Sequence, residues 1–174
     1  MWTKKGKYGL KALLHQAALP TGTSALSSEI AAAHALPAKF LEAILLELRN
    51  AGFIRSRKGK GGGYAMAMGA SEVRIGEVVR ALEGPLAPIA CASRNFYRRC
   101  DDCPDEERCA VHMLTVDVRN AIADVMDNTT LADMLERLQT TGAAAVKAPA
   151  SGRSSARRLP VRKKSRRAEL RQHT

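Results

Sequence analysis

All four cysteines of this 174-residue chain lie within one short stretch, as Cys91, Cys100, Cys103 and Cys109, and His112 follows the last of them by three residues. Soft thiolates and an imidazole gathered in a polar segment are the donors of an iron–sulfur cluster or a zinc ion. Cys100 and Cys103 form a C-x2-C pair, a spacing that lets two sulfurs reach one metal. With Cys109 and His112 they make a complete tetrahedral zinc set. A third chemistry needs no metal: neighbouring thiols can form and break disulfides. Arg94, Arg98, Arg99 and Arg108 stand among the thiols and would favour thiolates under each reading. His15, His34 and His173 are isolated, and no acid–base constellation converges with them, so the chain is not expected to be an enzyme.

The elements that must position these donors can be read on either side of them. Before them, Leu10, Leu13, Leu14, Ala17 and Ala18 keep helical spacing and predict a helix over 4–19, ended by Pro20 and Gly22. Ser27 suits an N-cap, and Ile30 an inward position, of a short helix over 27–34. After a turn at Ala35 and Leu36, Pro37 suits the first position of a third helix. Phe40, Leu41, Ile44, Leu45 and Leu48 form its apolar stripe, and Gly52 stops it. Residues 53–56 and 64–68 read as strands. They flank the segment Arg57-Lys58-Gly59-Lys60-Gly61-Gly62-Gly63, whose glycines allow positive φ. No Lys-Ser/Thr follows those glycines, and a strand rather than a helix comes next, which argues against a nucleotide phosphate loop.

A helix-turn-helix followed by a basic hairpin is a winged helix: one helix enters the major groove and the wing meets phosphate or the minor groove. The fold class expected is therefore mainly α, with a two-stranded β-wing. Ile75, Val78, Val79 and Leu82 predict a fourth helix closed by Gly84-Pro85. From about 106 to 127, Val111, Leu114, Val118, Ile122 and Val125 alternate three and four apart, near a heptad seam. The seam either buries against its own domain or forms a dimer contact, and the dimer is preferred because palindromic operators favour two-fold dimers. Thr129 or Thr130 can cap a last helix with Leu131, Met134, Leu135 and Leu138 inward.

Beyond Gly142 the periodicity ends. Residues 141–174 carry a net charge of +9 and residues 1–140 only +2, out of +11 in all. The tail is expected to be disordered and to add sequence-independent affinity for phosphate. No run of about 18 apolar residues is present, so no membrane span is expected. Lys11 and His15 interrupt any signal-peptide pattern. A cytoplasmic location follows, where clustered thiols point to metal or redox chemistry and not to structural disulfides.

Several segments together resemble the IscR-type winged-helix iron–sulfur transcriptional regulators, a family with nitric-oxide-sensing (NsrR) and iron-responsive (RirA) branches. They are Lys-Gly-Lys-Tyr-Gly-Leu-Lys-Ala-Leu at 5–13, Phe-Leu-Glu-Ala-Ile-Leu at 40–45, Gly-Lys-Gly-Gly-Gly-Tyr at 59–64, Glu-Val-Val-Arg-Ala-Leu-Glu-Gly-Pro at 77–85, and the cysteines. The resemblance covers residues 1 to about 138. It implies a DNA-binding domain over 1–85, a cluster-binding loop over 86–110, and a dimerisation helix with a short packing helix over 106–138. The tail, 141–174, lies outside it.

What the resemblance implies for function is a homodimeric regulator, activator or repressor, on a palindromic operator in double-stranded DNA. A 2Fe–2S or 4Fe–4S cluster, or zinc or a thiol switch in its place, would control DNA affinity in answer to iron, redox or nitric oxide status. Cys103 and Cys109 reproduce the family's six-residue spacing, Cys91 falls at its first cysteine, and His112 matches the histidine ligand of the 2Fe–2S branch. Cys100 is one thiol more than the pattern needs, so Cys91 and Cys100 compete for the third place unless all four bind. Lys7 stands where the nitric-oxide-sensing branch has an acidic ligand, which argues against that scheme here. In the recognition helix, 37–49, Ala38, Lys39 and Glu42 face away from most of the apolar stripe. Glu42 either accepts from cytosine amino groups, as the resemblance implies, or is simply solvated. Arg55, Arg57, Lys58 and Lys60, with Gly61, would meet the phosphates. Tyr8 serves helix packing or a phosphate.

Overall fold

The computed structural model describes residues 3–59 and 61–143. Lys60 and the basic tail therefore lie outside the described residues. The described residues hold six α-helices and one antiparallel hairpin: α1 (Lys4–Ala17), α2 (Ser27–His34), α3 (Ala38–Asn50), β1 (Ile54–Arg57), β2 (Gly63–Met66), α4 (Ile75–Glu83), α5 (Ala110–Asp127) and α6 (Leu131–Ala143). The winged helix-turn-helix read from the sequence is present, with a long helix after it.

Helical spacing becomes burial in the first four helices. Leu13, Ile30, Leu41, Ile44, Leu45, Leu48, Val73 and Val78 are all under 2 % exposed and form one core, which Leu131 at the start of α6 completes. Thr3 caps α1 by accepting from the Lys5 N–H at 3.0 Å. Glu83, at the end of α4, closes the same helix start from across the core. Its Oε1 accepts from the Thr3 hydroxyl at 2.6 Å and from the Gly6 N–H at 2.7 Å. A Cβ on Gly6 would meet that same oxygen at 2.6 Å, so a side chain here would push the Glu83 carboxylate off the helix start.

Several sequence expectations are corrected. Ser27 is the first residue of α2 and not its cap; the cap is Leu26, whose N–H donates to the Glu29 carboxylate at 2.8 Å. Pro37 is likewise the N-cap of α3, which starts at Ala38. α1 stops at Ala17 because the Ala18 N–H already folds back onto Leu14 and Gln16. Phe40 leaves the buried stripe: it is 40 % exposed and sets its ring edge-on to Tyr8, centroids 5.9 Å apart. Leu138, expected inward, is 59 % exposed, because α6 touches the core through its first turn and Met134.

The wing is tied to the body as well as to itself. β1 pairs with β2 in the register Ile54↔Met66 to Arg57↔Gly63. Beyond it, Ala25 exchanges two backbone hydrogen bonds with Tyr64, at 2.8 and 2.9 Å. α6 is anchored in the same way: the Leu131 N–H donates to the Val73 carbonyl at 2.9 Å and the Ala132 N–H to Ala70 at 3.1 Å. Thr130 and Asp133 form a reciprocal capping box at its start.

α5 is different. None of its residues is buried, and Val111, Leu114, Val118 and Val125 of the heptad seam are 40–66 % exposed. Met126, near its end, packs against the core, and polar contacts hold it as well. Arg80 of α4 makes two hydrogen bonds to Asp127, at 2.6 and 2.8 Å, and the Arg119 guanidinium donates to the Ala92 carbonyl at 2.6 Å. No helix of the described residues is long and apolar enough to cross a membrane.

Candidate metal centre and nucleic-acid interface

The cysteine segment runs between the two parts of the fold. Gly84, at φ 88°, turns the chain out of α4, and a short 3-10 turn at Ala90–Ala92 buries Cys91 at 5 % exposure. The strand of loop that follows is folded on itself. The Arg98 N–H donates to the Ala90 carbonyl at 3.3 Å, the Tyr97 hydroxyl to Glu106 Oε2 at 2.6 Å, and Arg99 to the Pro104 carbonyl at 2.9 Å. α5, expected from about 106, begins at Ala110, because Cys109 is its cap: the Cys109 sulfur accepts from the His112 N–H at 3.4 Å.

The structure pairs the donors. Cys91 lies with Glu106 and His112, their ligand atoms all within 4.8 Å of one another. Cys100 stands against Cys91, whose sulfur is the leading cause of the raised pKa of the Cys100 thiol. Cys103 and Cys109 form a second pair. Burial and then Cys109 raise the Cys103 thiol, whereas the His112 backbone N–H lowers that of Cys109. Hydrogen bonds and burial lead these shifts, and not the arginines that the sequence suggested. Arg108 reaches only Asp105, at 3.8 Å, and Arg99 is spent on backbone carbonyls.

Two side-chain atoms in this segment are buried without a partner, His112 Nδ1 and Glu106 Oε1. Orphaned buried polar atoms are costly unless something pairs with them. An imidazole nitrogen, a carboxylate oxygen and thiolates in one place form a donor set suited to iron or zinc, so the residues present fit a metal-bearing group. Glu106 was not singled out from sequence. It sits in the run Asp-Glu-Glu, where its type suggests solvated charge. Its signal was its place, three residues before Cys109 and six before His112.

The other candidate surface is α3 and the wing. The α2–α3 turn passes through Ala35 in the left-handed region, φ 51° and ψ 48°, which swings α3 out from α2. Ala38, Lys39 and Glu42 are exposed on the outer side of α3. Arg55, Arg57, Lys58 and Gly61 are exposed on the hairpin. The Ser24 hydroxyl holds the tip by donating to the Gly61 carbonyl at 2.7 Å, and Arg57 leans towards the Gly22 carbonyl at 3.5 Å. Gly63 sits at φ 130°, and a Cβ there would run into the Ala25 carbonyl and lie 3.1 Å from the Leu26 nitrogen. Only glycine lets the wing lie against the start of α2.

Comparison with known proteins agrees with this arrangement. The family described as "Rrf2: Iron-dependent Transcriptional regulator" matches residues 2–137. A putative HTH-type transcriptional regulator, rrf2-like, of Rhodobacter capsulatus is 44 % identical over 138 residues, covering 78 % of this chain and 92 % of that protein. The HTH-type transcriptional regulator CymR of Bacillus subtilis is 32 % identical over 131 residues, covering 75 % of this chain and 86 % of that one. Among solved structures, that of the B. subtilis CymR, described as the global cysteine regulator, superposes with a TM-score of 0.65 at 28 % identity, over 79 % of this chain and 97 % of that one. The IscR of T. potens superposes with a TM-score of 0.64 at 26 % identity, over 85 % of this chain and 93 % of that one. Winged body, long open helix and family match over most of the length lead to one conclusion: the chain belongs to the Rrf2 family of transcriptional regulators.

Proposed function

We propose that this regulator binds a palindromic operator as a homodimer and that a metal-bearing group held by the cysteine segment, an iron–sulfur cluster, controls its DNA affinity. The division of labour is the one expected from sequence: a DNA reader over 1–85, a cluster-binding loop over 86–110, and a dimer contact made by the long helix within 106–138. Work on chromosomal DNA puts it in the cytoplasm.

The observation that carries the reading is the position of the donors. Cys91 is seated in a turn that α5 grips through Arg119, and Cys109 and His112 stand at the start of α5 itself. A group bound here ties the end of the winged body to the helix whose apolar seam faces outward. Cys91, Cys103, Cys109 and His112 would hold it, with Cys100 beside Cys91. The group supplies a redox- and iron-dependent crosslink between these residues. The chain does the rest. α5 sets the angle between two DNA readers, and both must meet the groove about one helical turn, roughly 34 Å, apart. Ala38, Lys39 and Glu42 lie at base edges, and Arg55, Arg57, Lys58, Lys60 and Gly61 at phosphates.

The test is DNA affinity of the metal-loaded and metal-free protein at one salt concentration. A difference of tenfold or more is expected, and equal affinity and site preference would rule the reading out. A second reading, a thiol switch on the same fold, is favoured by the closeness of Cys103 and Cys109. It predicts that the metal-free protein loses or gains DNA affinity on mild oxidation, reversibly with a thiol reductant.

A further inference from the structure

We infer that in the cluster-free protein Glu106 is a metal ligand, and that Cys91, Glu106 and His112 then form a mixed sulfur, oxygen and nitrogen site for a divalent transition-metal ion such as ferrous iron. The inference rests on the reading of the cysteine segment as metal-bearing, and adds to it a carboxylate that neither the cysteine pattern nor the family resemblance assigns.

Three observations carry it. The first is proximity: one ligand atom from each of the three side chains lies within 4.8 Å of the other two, a spacing one ion can draw together. The second is orientation. The Tyr97 hydroxyl occupies Glu106 Oε2 at 2.6 Å, and that leaves Oε1 as the oxygen free for another partner. A ligating carboxylate is commonly held in this way by a hydrogen bond to its other oxygen. The third is the pair of orphans. Glu106 Oε1 and His112 Nδ1 are both buried and both lack a partner among the described residues, so each has lost its water without gaining a replacement there. A cation between them satisfies both at once, and the Cys91 thiolate completes three donors of types that zinc and ferrous iron accept.

The chain geometry supports the same grouping. Cys91 is buried at 5 % in its 3-10 turn and cannot move far. His112 is one turn into α5, whose start is fixed by the Cys109 cap. Glu106 comes from the loop just ahead, held by Tyr97 on one side and by the Cys109 N–H, which donates to the Glu106 carbonyl at 3.2 Å, on the other. Three separate segments thus meet at one point. Cys100, beside Cys91, is the nearest candidate for a fourth donor.

The test uses the full chain, stripped of metal under anaerobic reducing conditions and titrated with Co2+. That ion reports tetrahedral ligation through its visible d–d bands and thiolate ligation through near-ultraviolet charge transfer. One tightly bound Co2+ per chain with thiolate charge transfer is expected. Cys91→Ser should remove most of that charge transfer, and His112→Ala should abolish tight binding. Glu106→Gln keeps the shape of the side chain and an oxygen for Tyr97, and should weaken Co2+ binding at least tenfold. Asp105→Asn and Glu107→Gln, exposed neighbours of the same charge, should leave it unchanged. Co2+ affinity of Glu106→Gln equal to the parent protein would overturn the inference, and so would equal weakening by all three charge-removing substitutions. The regulatory reading fails separately: it falls if the metal-loaded and metal-free parent proteins bind DNA alike, whatever Glu106 does to Co2+.

Discussion

At the scale of single residues, Gly63 and Glu42 mark the two extremes of freedom in the winged helix-turn-helix body. Gly63 joins a positive φ to a backbone contact with Ala25 that no side chain can enter. Gly63→Ala is expected to destabilise the protein by at least about 1–3 kcal/mol, the usual cost of a forced backbone conformation. Urea denaturation would measure it, and an unchanged midpoint would show that the wing can detach from α2 without loss. Glu42 is the opposite case, an exposed side chain with no structural duty among the described residues. Glu42→Ala should leave stability unchanged within about 0.5 kcal/mol, as is usual for such surface changes. Its effect should fall on sequence discrimination instead, which a bidentate or accepting base contact changes by about 1–3 kcal/mol. Equal discrimination across operator variants by the parent protein and Glu42→Ala would remove Glu42 from the base-reading set.

At the scale of elements, α5 stands apart from the other helices. α1 to α4 bury one face each, whereas α5 presents Val111, Leu114, Val118 and Val125 to solvent and holds the body through Met126, Arg119 and Asp127. An amphipathic helix in water with its apolar stripe outward needs a second surface. A two-fold partner helix supplies one of matching chemistry, which supports the proposed dimer. Leu114→Glu places a charge in the middle of that stripe. It should convert the dimer to monomer at micromolar concentration in sedimentation velocity, with helix content unchanged. A persisting dimer would move the contact elsewhere. The Arg80–Asp127 pair should then matter to how α5 leaves the body and not to whether the body folds, since both side chains remain about a third or more exposed.

At the scale of the whole molecule, α1 and α2 meet through a pair of histidines. His34 of α2 faces His15 of α1, ring centroids 5.3 Å apart, and its Nε2 is buried without a partner among the described residues. Burial, then His15 and Lys11, hold its pKa below the usual histidine value. The unfolded chain therefore binds a proton here that the folded chain resists. Stability should be flat above about pH 6.5, the ordinary histidine value, and fall as the pH drops below it towards the folded pKa. His34→Gln should reduce that slope between pH 7 and 5 in thermal melts, and an identical slope would assign the acid sensitivity to other groups.

Much of this was legible in the sequence because it depends on local rules. Helical spacing placed α1 to α4 and their buried positions to within a few residues, since apolar periodicity is a direct record of which face meets the core. The glycine-rich basic hairpin announced the wing, because few structures need three consecutive glycines between two strands. The clustering of Cys91, Cys100, Cys103 and Cys109 marked the proposed metal site without any fold. Cap positions were missed at Leu26 and Pro37, where a side chain three residues ahead or the backbone alone does the capping. Phe40 was assigned to the core by its type, although α3 turns it towards Tyr8.

The grouping of donors was decided only by tertiary structure. Spacing along the chain favoured Cys100 with Cys103, but the folded loop sets Cys100 against Cys91 and Cys103 against Cys109. Glu106 was indistinguishable from its acidic neighbours until Tyr97 turned it inward beside His112. Local sequence determines which elements form and which residue types are at hand. Which of those residues meet depends on contacts between segments far apart in the chain, and a loop without periodicity leaves no record of them.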